Sequence, residues 1–524
     1  MSTPDLLHGC TSEAELLVHA LRRFPDRIAF RLGERDITYA EVEARISGYC
    51  QALTARGVGR GHRLGLLSGN RIEVFYVSAA SNILGCCLVP LHPKGSLKDH
   101  AYVARDAALG TLVFEAGGAY EARARELQDC GVGALAALGP SALAADLTAA
   151  ADAFPPRPLR TVVLGPDETC RLSYSGGTTG EPKAIEGTPR TLLTKTMIQL
   201  VEWDWPAEIR QLICAPLSHA GGSMVLPTLV RGGTLYVLNG FDPAEVLRTV
   251  ARERITCVLL VPTMINALLD HPEIDAFDLS SLEAIYYGAS PISPARLRQG
   301  IARLGKVFFQ FYGQTEAPMT VCVLRRDEHD TESTERLASC GRPVPWVRVA
   351  LLADDGAEAP DGEPGEICVQ GPLVMKGYLN KPDETAKALE GGWLHSGDVA
   401  VRTPDGFLRI VDRKKDMIIS GGFNVFAREV EDVLAEHPAV AACAVIGVPD
   451  PRWGEAVKAL VVARDGSSVT EQELIELVRR QKGPVQAPKS VEFIAEMPLT
   501  GLGKPDKKQL RQREAGALTL GQTG

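Results

Sequence analysis

Ser175-Gly176-Gly177-Thr178-Thr179-Gly180-Glu181-Pro182-Lys183 packs small, flexible and hydroxyl-bearing residues into one segment that ends in a cation. Glycine lets backbone N–H groups approach a ligand closely and point at it, Ser175, Thr178 and Thr179 add hydroxyl donors, and Lys183 supplies positive charge. That is the chemistry of a loop around a polyphosphate. The β-prone Leu172 and Tyr174 come just before it and predict that the loop leaves a buried strand. A Gly/Thr-rich surface turn is the plainer alternative; the length of the run, with Pro182 and Lys183, favours phosphate binding. A Walker loop needs Gly-Lys followed by Ser or Thr, whereas Pro182 precedes Lys183 and Ala184 follows it, which disfavours a P-loop kinase or ATPase.

The chain around this loop has 524 residues, beyond the roughly 250–300 at which a single core stops growing, so several domains or subdomains are expected. Hydrophobic content of 45% and charged content of 23% suit an ordinary soluble globular protein. A net charge of -9 gives no electrostatic footprint for nucleic acid or anionic lipid, and the arginines around residues 298–303 are interleaved with apolar residues, as on a solvated helix face. The 12 cysteines are scattered, mostly in apolar settings, with no Cys-x-x-Cys pair and no Cys/His cluster at metal spacing, and read as buried reduced thiols. The first residues lack the basic and long apolar regions of a secretory signal, so a cytoplasmic enzyme is expected. Residues 74–91 form the most apolar window, but Asn82, Gly85 and Pro90 break it into helix, turn and strand rather than a membrane span.

Short β-rich runs alternate with helical stretches: residues 63–67 as strand, 72–84 as helix, 87–91 as strand, and a helix from Lys98. This is the β-α-β rhythm of a parallel sheet with covered faces, and it returns at 211–215, 234–238, 257–261, 284–287 and 307–310. From Val347 the pattern changes to Gly/Asp-punctuated strands, including 365–369 and 406–411, which predict a smaller β subdomain. After the charged strip Asp412-Arg413-Lys414-Lys415-Asp416 comes an α+β pattern: helix at 429–436, strands at 441–447 and 457–463, helix at 471–480. The strip itself reads as an interdomain hinge or as a solvated turn.

Three more segments complete the set: Phe311-Tyr312-Gly313-Gln314-Thr315-Glu316, Trp393-Leu394-His395-Ser396-Gly397-Asp398 and Pro498-Leu499-Thr500-Gly501-Leu502-Gly503-Lys504. With the loop and the charged strip they offer an aromatic face for a base, carboxylates for a divalent cation and for ribose hydroxyls, and late-chain cations. Each alone is weak, since an aspartate in a Ser-Gly-Asp turn is commonly structural. In this order and spacing they resemble the adenylate-forming superfamily of acyl-CoA synthetases, luciferases and nonribosomal-peptide adenylation domains, over about residues 24–510. Asp36-Ile37-Thr38-Tyr39-Ala40-Glu41 looks like that family's opening strand and turn, and Val89-Pro90-Leu91 like its second-strand end.

The resemblance implies an α/β fold with a large multi-layer N-terminal domain, two α/β sheets plus a β subdomain, over residues 1–412. A small mobile α+β C-terminal lid over 413–524 would turn about a hinge near Lys415. It also implies roles. Ser175, Gly176, Gly177, Thr178, Thr179, Gly180 and Lys183 would grip the β- and γ-phosphates of ATP, and Tyr312 would stack on adenine beside Gly288, Ala289, Ser290 and Gly313. Thr315 would touch the α-phosphate, Glu316 would hold Mg²⁺, and Asp398 and Arg413 would bind ribose hydroxyls. Gly421, Gly422 and Phe423 would line the approach of the second substrate, where glycine lets backbone come close to a thiol. His219 would be the gate beside the acid, although a satisfied core histidine reads as well, and Lys504 would reach from the lid to the acid carboxylate and the α-phosphate. Pocket walls are expected near Trp203 to Trp205, His219 to Ser223, Gly288 to Ser290 and Gly313 to Met319. Ala427 stands where many relatives have proline, and Pro505 where isoleucine or valine is usual.

The implied activity is ATP-dependent, Mg²⁺-assisted conversion of a carboxylic acid, aromatic or fatty, to its adenylate and then to a CoA thioester, by a monomer or homodimer. An amide-forming synthetase, or transfer to a carrier-protein thiol, shares the first step. A non-catalytic nucleotide sensor is disfavoured because Lys183, Glu316, Asp398, Arg413 and Lys504 are all in place. Carboxylate attack on the α-phosphate needs no general base, so catalysis is positioning plus charge neutralisation. Losing one cation aimed at transition-state charge costs about 10²–10³ in rate. Lys504→Ala should therefore nearly lose acid-dependent pyrophosphate release while transferring acyl groups from preformed acyl-adenylate to CoA near the wild-type rate. Equal damage in both single-turnover assays would remove the role given to Lys504.

Overall fold

Strands that are apolar on both sides need covering on both faces, and here they assemble two large sheets with helices between and around them. The computed structural model describes residues 12–174, 182–414, 416–420, 423–464, 466–499 and 505–521. A 6-stranded sheet runs in spatial order Ala134–Leu138, Thr111–Glu115, Arg63–Leu67, Cys87–Pro90, Arg171–Tyr174, Ala184–Gly187. All its pairs are parallel except the last, in which the strands flanking residues 175–183 run antiparallel. The buried Leu172 of Arg171–Tyr174 bears out the expected strand before the glycine-rich segment.

A 9-stranded sheet has a parallel centre, in which Ala284–Tyr287 lies between Cys257–Leu260 and Phe308–Gln314. Its edges are antiparallel, with Ala317–Leu324 folding back on Phe308–Gln314 and Arg35–Thr38 on Ile28–Leu32. One difference from the sequence reading is instructive. Where a strand and turn were expected at 36–41, Arg35–Thr38 passes straight into helix Tyr39–Thr54, because Thr38 and Glu41 form a reciprocal capping box.

The predicted β subdomain is an antiparallel sheet of Arg348–Leu352, Pro364–Gln370, Leu394–Arg402 and Leu408–Arg413. Beyond it, Gly454–Ala463 pairs with Val440–Asp450 and Ser490–Phe493, and helices Ala427–Ala435 and Glu471–Lys482 cover that sheet with a core of their own. Among the described residues no helix is long and apolar enough to cross a membrane.

Of the charged strip between these two sheets, Arg413 and Lys414 are exposed and Asp416 is half-buried. Asp412 is buried, its Oδ1 accepts the Arg413 N–H at 2.7 Å, and its Oδ2 has no hydrogen-bond partner among the described residues. Helix Lys507–Gly521 fastens onto the strip and its neighbour: Lys507 pairs with Glu431 at 2.8 Å and Arg511 with Asp416 at 2.9 Å. Arg409 reaches Glu429 at 2.8 Å, tying the antiparallel sheet to helix Ala427–Ala435.

Burial pushes the Asp412 carboxyl up to about 6, with nearby Lys507 pulling it the other way. A carboxyl raised in the folded state binds its proton more tightly there than when unfolded. Its contribution to stability is present below about pH 4 and is lost as pH rises through about 6, by about 3 kcal/mol. Thermal melts from pH 4 to pH 7 should show wild type losing stability that Asp412→Asn keeps; parallel profiles would mean that Asp412 does not titrate in this window.

Candidate nucleotide and acid site

The open ends of the two large sheets and the antiparallel sheet border one cavity of about 1770 Å³. That exceeds the roughly 300–1,000 Å³ of an ordinary single-ligand pocket, so it has room for more than one substrate. Gly288, Ala289, Ser290, Tyr312, Gly313, Thr315, Glu316, Asp398, Arg413 and His219 all line it. Residues separated by up to 194 positions in the chain are thus brought together by strand ends.

The turn at 315–316 joins Phe308–Gln314 to Ala317–Leu324, with Gln314 paired to Ala317, so Thr315 and Glu316 stand at a hairpin tip. Gly288 follows strand Ala284–Tyr287, and a Cβ there would lie 2.4 Å from the Phe311 carbonyl oxygen, so only glycine fits. Ala289 holds φ +67°, a left-handed conformation that non-glycine residues seldom adopt and that clusters at binding sites.

Asp398 is the hub. Its carboxylate accepts the Tyr312 hydroxyl at 2.7 Å on Oδ2 and the Arg413 Nε at 2.9 Å on Oδ1. Backbone register puts Arg413 directly opposite Asp398 in the antiparallel sheet. The ring plane of Tyr312 is therefore set by the same carboxylate that the sequence assigned to ribose. Burial and the neighbouring carboxylate raise Tyr312 well above the ordinary phenol range, so it stays a donor.

Glu316 is held from outside its own turn. Tyr378 donates its hydroxyl to Glu316 Oε1 at 3.0 Å, and the Met375 N–H bonds the Glu316 carbonyl at 2.7 Å. Lys183 Nζ lies 5.0 Å from the centre of the Tyr378 ring and pairs with Glu384, so Tyr378 touches both an assigned phosphate residue and an assigned cation ligand. Sequence reasoning missed Tyr378; only its spatial contacts mark it out.

His219 lines the cavity and is at the same time a largely buried, hydrogen-bonded histidine. Its Nδ1 lies 2.8 Å from Ser218 Oγ, and its ring meets His92 edge to face at 4.8 Å. Burial, then His92 and Arg171, push it down to about 3, so the imidazole is neutral near pH 7. His92 was also missed; it follows the short strand Cys87–Pro90 and carries no pattern of its own.

The sequence expectation fails at Trp203. Trp203 does not form a pocket wall: it is buried, stacks on Phe311 at 5.0 Å and donates its indole N–H to Thr320 at 3.0 Å, and Trp205 packs beside it. An indole of this size gains more from burial in an aromatic cluster than from lining a wet cavity. Phe423 is 60% exposed and away from the cavity lining. Ser175, Gly176, Gly177, Thr178, Thr179, Gly180, Lys415, Gly421, Gly422 and Lys504 lie outside the described residues.

The model of the AMP-binding enzyme family matches residues 17–379, and that of the AMP-binding enzyme C-terminal domain matches 429–504. The chain belongs to the AMP-binding enzyme family. Within that family of adenylate-forming enzymes it is similar to the medium/long-chain-fatty-acid–CoA ligase FadD8 of Mycobacterium tuberculosis, 49% identical over 97% of this chain and 91% of that one. It is also similar to a feruloyl-CoA synthase of an Amycolatopsis species, 40% identical over 95% of this chain and 98% of that one. Among solved structures, the amide bond synthetase McbA of Marinactinospora thermotolerans superposes with a TM-score of 0.88 at 34% identity, covering 96% of this chain and 99% of that one.

Hydrogen bonds to charged groups contribute about 1.5–3 kcal/mol each. Asp398→Ala, which removes the group that orients both Tyr312 and Arg413, should raise the ATP concentration needed for half-maximal pyrophosphate release about ten- to a hundredfold. An unchanged ATP titration would show that the hub does not serve the nucleotide.

Proposed function

We propose that this protein is an AMP-forming acid:CoA ligase that first joins a carboxylic acid to AMP, releasing pyrophosphate, and then hands the acyl group to CoA. The observation that carries this reading is the Tyr312–Asp398–Arg413 chain beside the Thr315–Glu316 tip in one cavity large enough for a nucleotide and an acid. The CoA ligases among its relatives support the acceptor.

In this reading Tyr312 stacks on adenine beside Gly288, Ala289 and Ser290, while Asp398 and Arg413 take the ribose hydroxyls. Thr315 contacts the α-phosphate, and the segment from Ser175 to Lys183 grips the β- and γ-phosphates. Glu316 fits a hard cation: Tyr378 fixes one carboxylate oxygen, and Oε2 accepts no hydrogen bond among the described residues. Mg²⁺, when bound, supplies neutralising charge to the phosphates. The neutral His219 and His92 rings present an uncharged wall to the acid, which keeps the two anions from being held apart by a competing cation at the gate.

The lid begins at Arg413 and swings about Lys415, so that Lys504 serves the first half-reaction and Gly421 and Gly422 the second. The docking of Lys507 and Arg511 onto Glu431 and Asp416 supports this division, because it makes the helix after Lys504 part of the swinging body. The acid is aromatic or fatty, and the enzyme works in the cytoplasm as a monomer or homodimer. The amide-forming alternative is favoured by one observation, the close structural match to an amide bond synthetase.

The two acceptors separate cleanly in one assay. With ATP, Mg²⁺ and an accepted acid, adding CoA should yield AMP and acyl-CoA in equal amounts by mass spectrometry, and simple amines should compete poorly. Acid-dependent pyrophosphate release without CoA consumption, with amide formed from added amine, would replace the ligase reading by the synthetase one.

A further inference from the structure

The cavity lining also takes in Phe75 and Ala79 of helix Ile72–Ile83 and Leu192 of helix Pro189–Glu202, with Glu13, Lys195 and Arg171. Arg171 is the unusual member of this wall. It opens strand Arg171–Tyr174, paired with Leu88, so three residues of strand, about 10 Å, separate it from the segment assigned to the phosphates. Its Nε donates to Ser173 Oγ at 3.3 Å and its Nη2 to the Ser218 carbonyl at 3.0 Å, directly under the gate.

Among the described residues no carboxylate pairs with this guanidinium. The acid that acts on it through space, Glu13, accepts Lys195 at 3.1 Å and Thr196 at 2.5 Å on the same oxygen, Oε1. His219 and His92 are held neutral by burial. The wall therefore carries Arg171, without an ion pair among the described residues, beside the Lys195–Glu13 pair, and Glu186 on the same lining faces Lys376 at 3.8 Å. Burying an arginine without an anion is unfavourable, and burial lowers the pKa of Arg171 accordingly. A guanidinium with donors to spare matches a carboxylate, which it can grip with two parallel hydrogen bonds.

We infer that Arg171 reads a second anionic group, a carboxylate, on the acyl part of the acid, so that the preferred substrates are dicarboxylic acids activated at the far carboxyl. The inference rests on the adenylate-forming reading above and narrows its substrate class. Phe75, Ala79 and Leu192 supply the apolar spacer, and the gate separates the end that reacts from the end that is recognised. Arg171 acts as a specificity residue and takes no part in the chemical step.

The test compares matched acids in pyrophosphate release by the full-length enzyme: suberic acid against monomethyl suberate, and 4-carboxycinnamic acid against its 4-methyl ester. In wild type the diacid should exceed its ester at least about tenfold in kcat/KM, mostly through KM, for one of the pairs. Arg171→Met should collapse that diacid-to-ester ratio towards one, and Arg171→Lys should retain part of it. Wild type without preference in either pair overturns the inference, as does a ratio that survives in Arg171→Met while both rates fall, which would make Arg171 a support for the Ser218 loop. Should neither kind of acid release pyrophosphate, the adenylate reading fails and the inference falls with it; release with monoacids alone sinks only the inference.

Discussion

The backbone register that sets Arg413 opposite Asp398 is the constraint on which the site depends. Side chains alternate along a strand, so a slip of one residue would carry Arg413 to the other face and leave a buried carboxylate without its cation. The register is pinned nearby by an irregularity between Val399 and Ala400, where the ladder shifts. Tyr312 closes the arrangement from a different sheet. One carboxylate thus locks the hairpin that carries Thr315 and Glu316 to the strands that lead into the charged strip.

The rest of the cavity follows a single electrostatic rule: a charge is buried only where it is answered. Arg413 answers Asp398, Lys507 answers Glu431, and Lys195 answers Glu13. His219 and His92 obey the same rule by staying neutral. Arg171 and Asp412 are the exceptions. Arg171 lines a cavity that a substrate can fill, whereas Asp412 has one oxygen without a partner among the described residues and responds by holding its proton more tightly. The first exception concerns what the cavity binds, the second how firmly the junction between the two C-terminal sheets is held.

Much of this was legible in the chain. Apolar runs alternating with helical stretches specify parallel sheets because such strands must be covered on both faces, and the change of pattern after Val347 marks the antiparallel sheet. The segments around Tyr312, Asp398 and Arg413 could be named as parts of one site because their order and spacing resemble the adenylate-forming superfamily; each segment alone is weak. Local chemistry also determines the helix cap at Thr38, where the Thr38–Glu41 pair starts a helix in place of the expected turn.

Other features belong to the tertiary structure alone. Trp203 reads as a pocket aromatic although four other rings surround it, and Tyr378, His92 and Arg171 have no local signature at all. Their roles come from what faces them: Glu316 from the hairpin, His219 from the loop after strand Arg210–Ile213, and Ser218 with an unanswered interior. Sequence determines propensity, periodicity and the identity of reactive groups, since these depend on neighbours along the chain. Which charges are buried, which are paired and which are left to meet a ligand depends on distances between strands far apart in sequence, and only the packed sheets decide them.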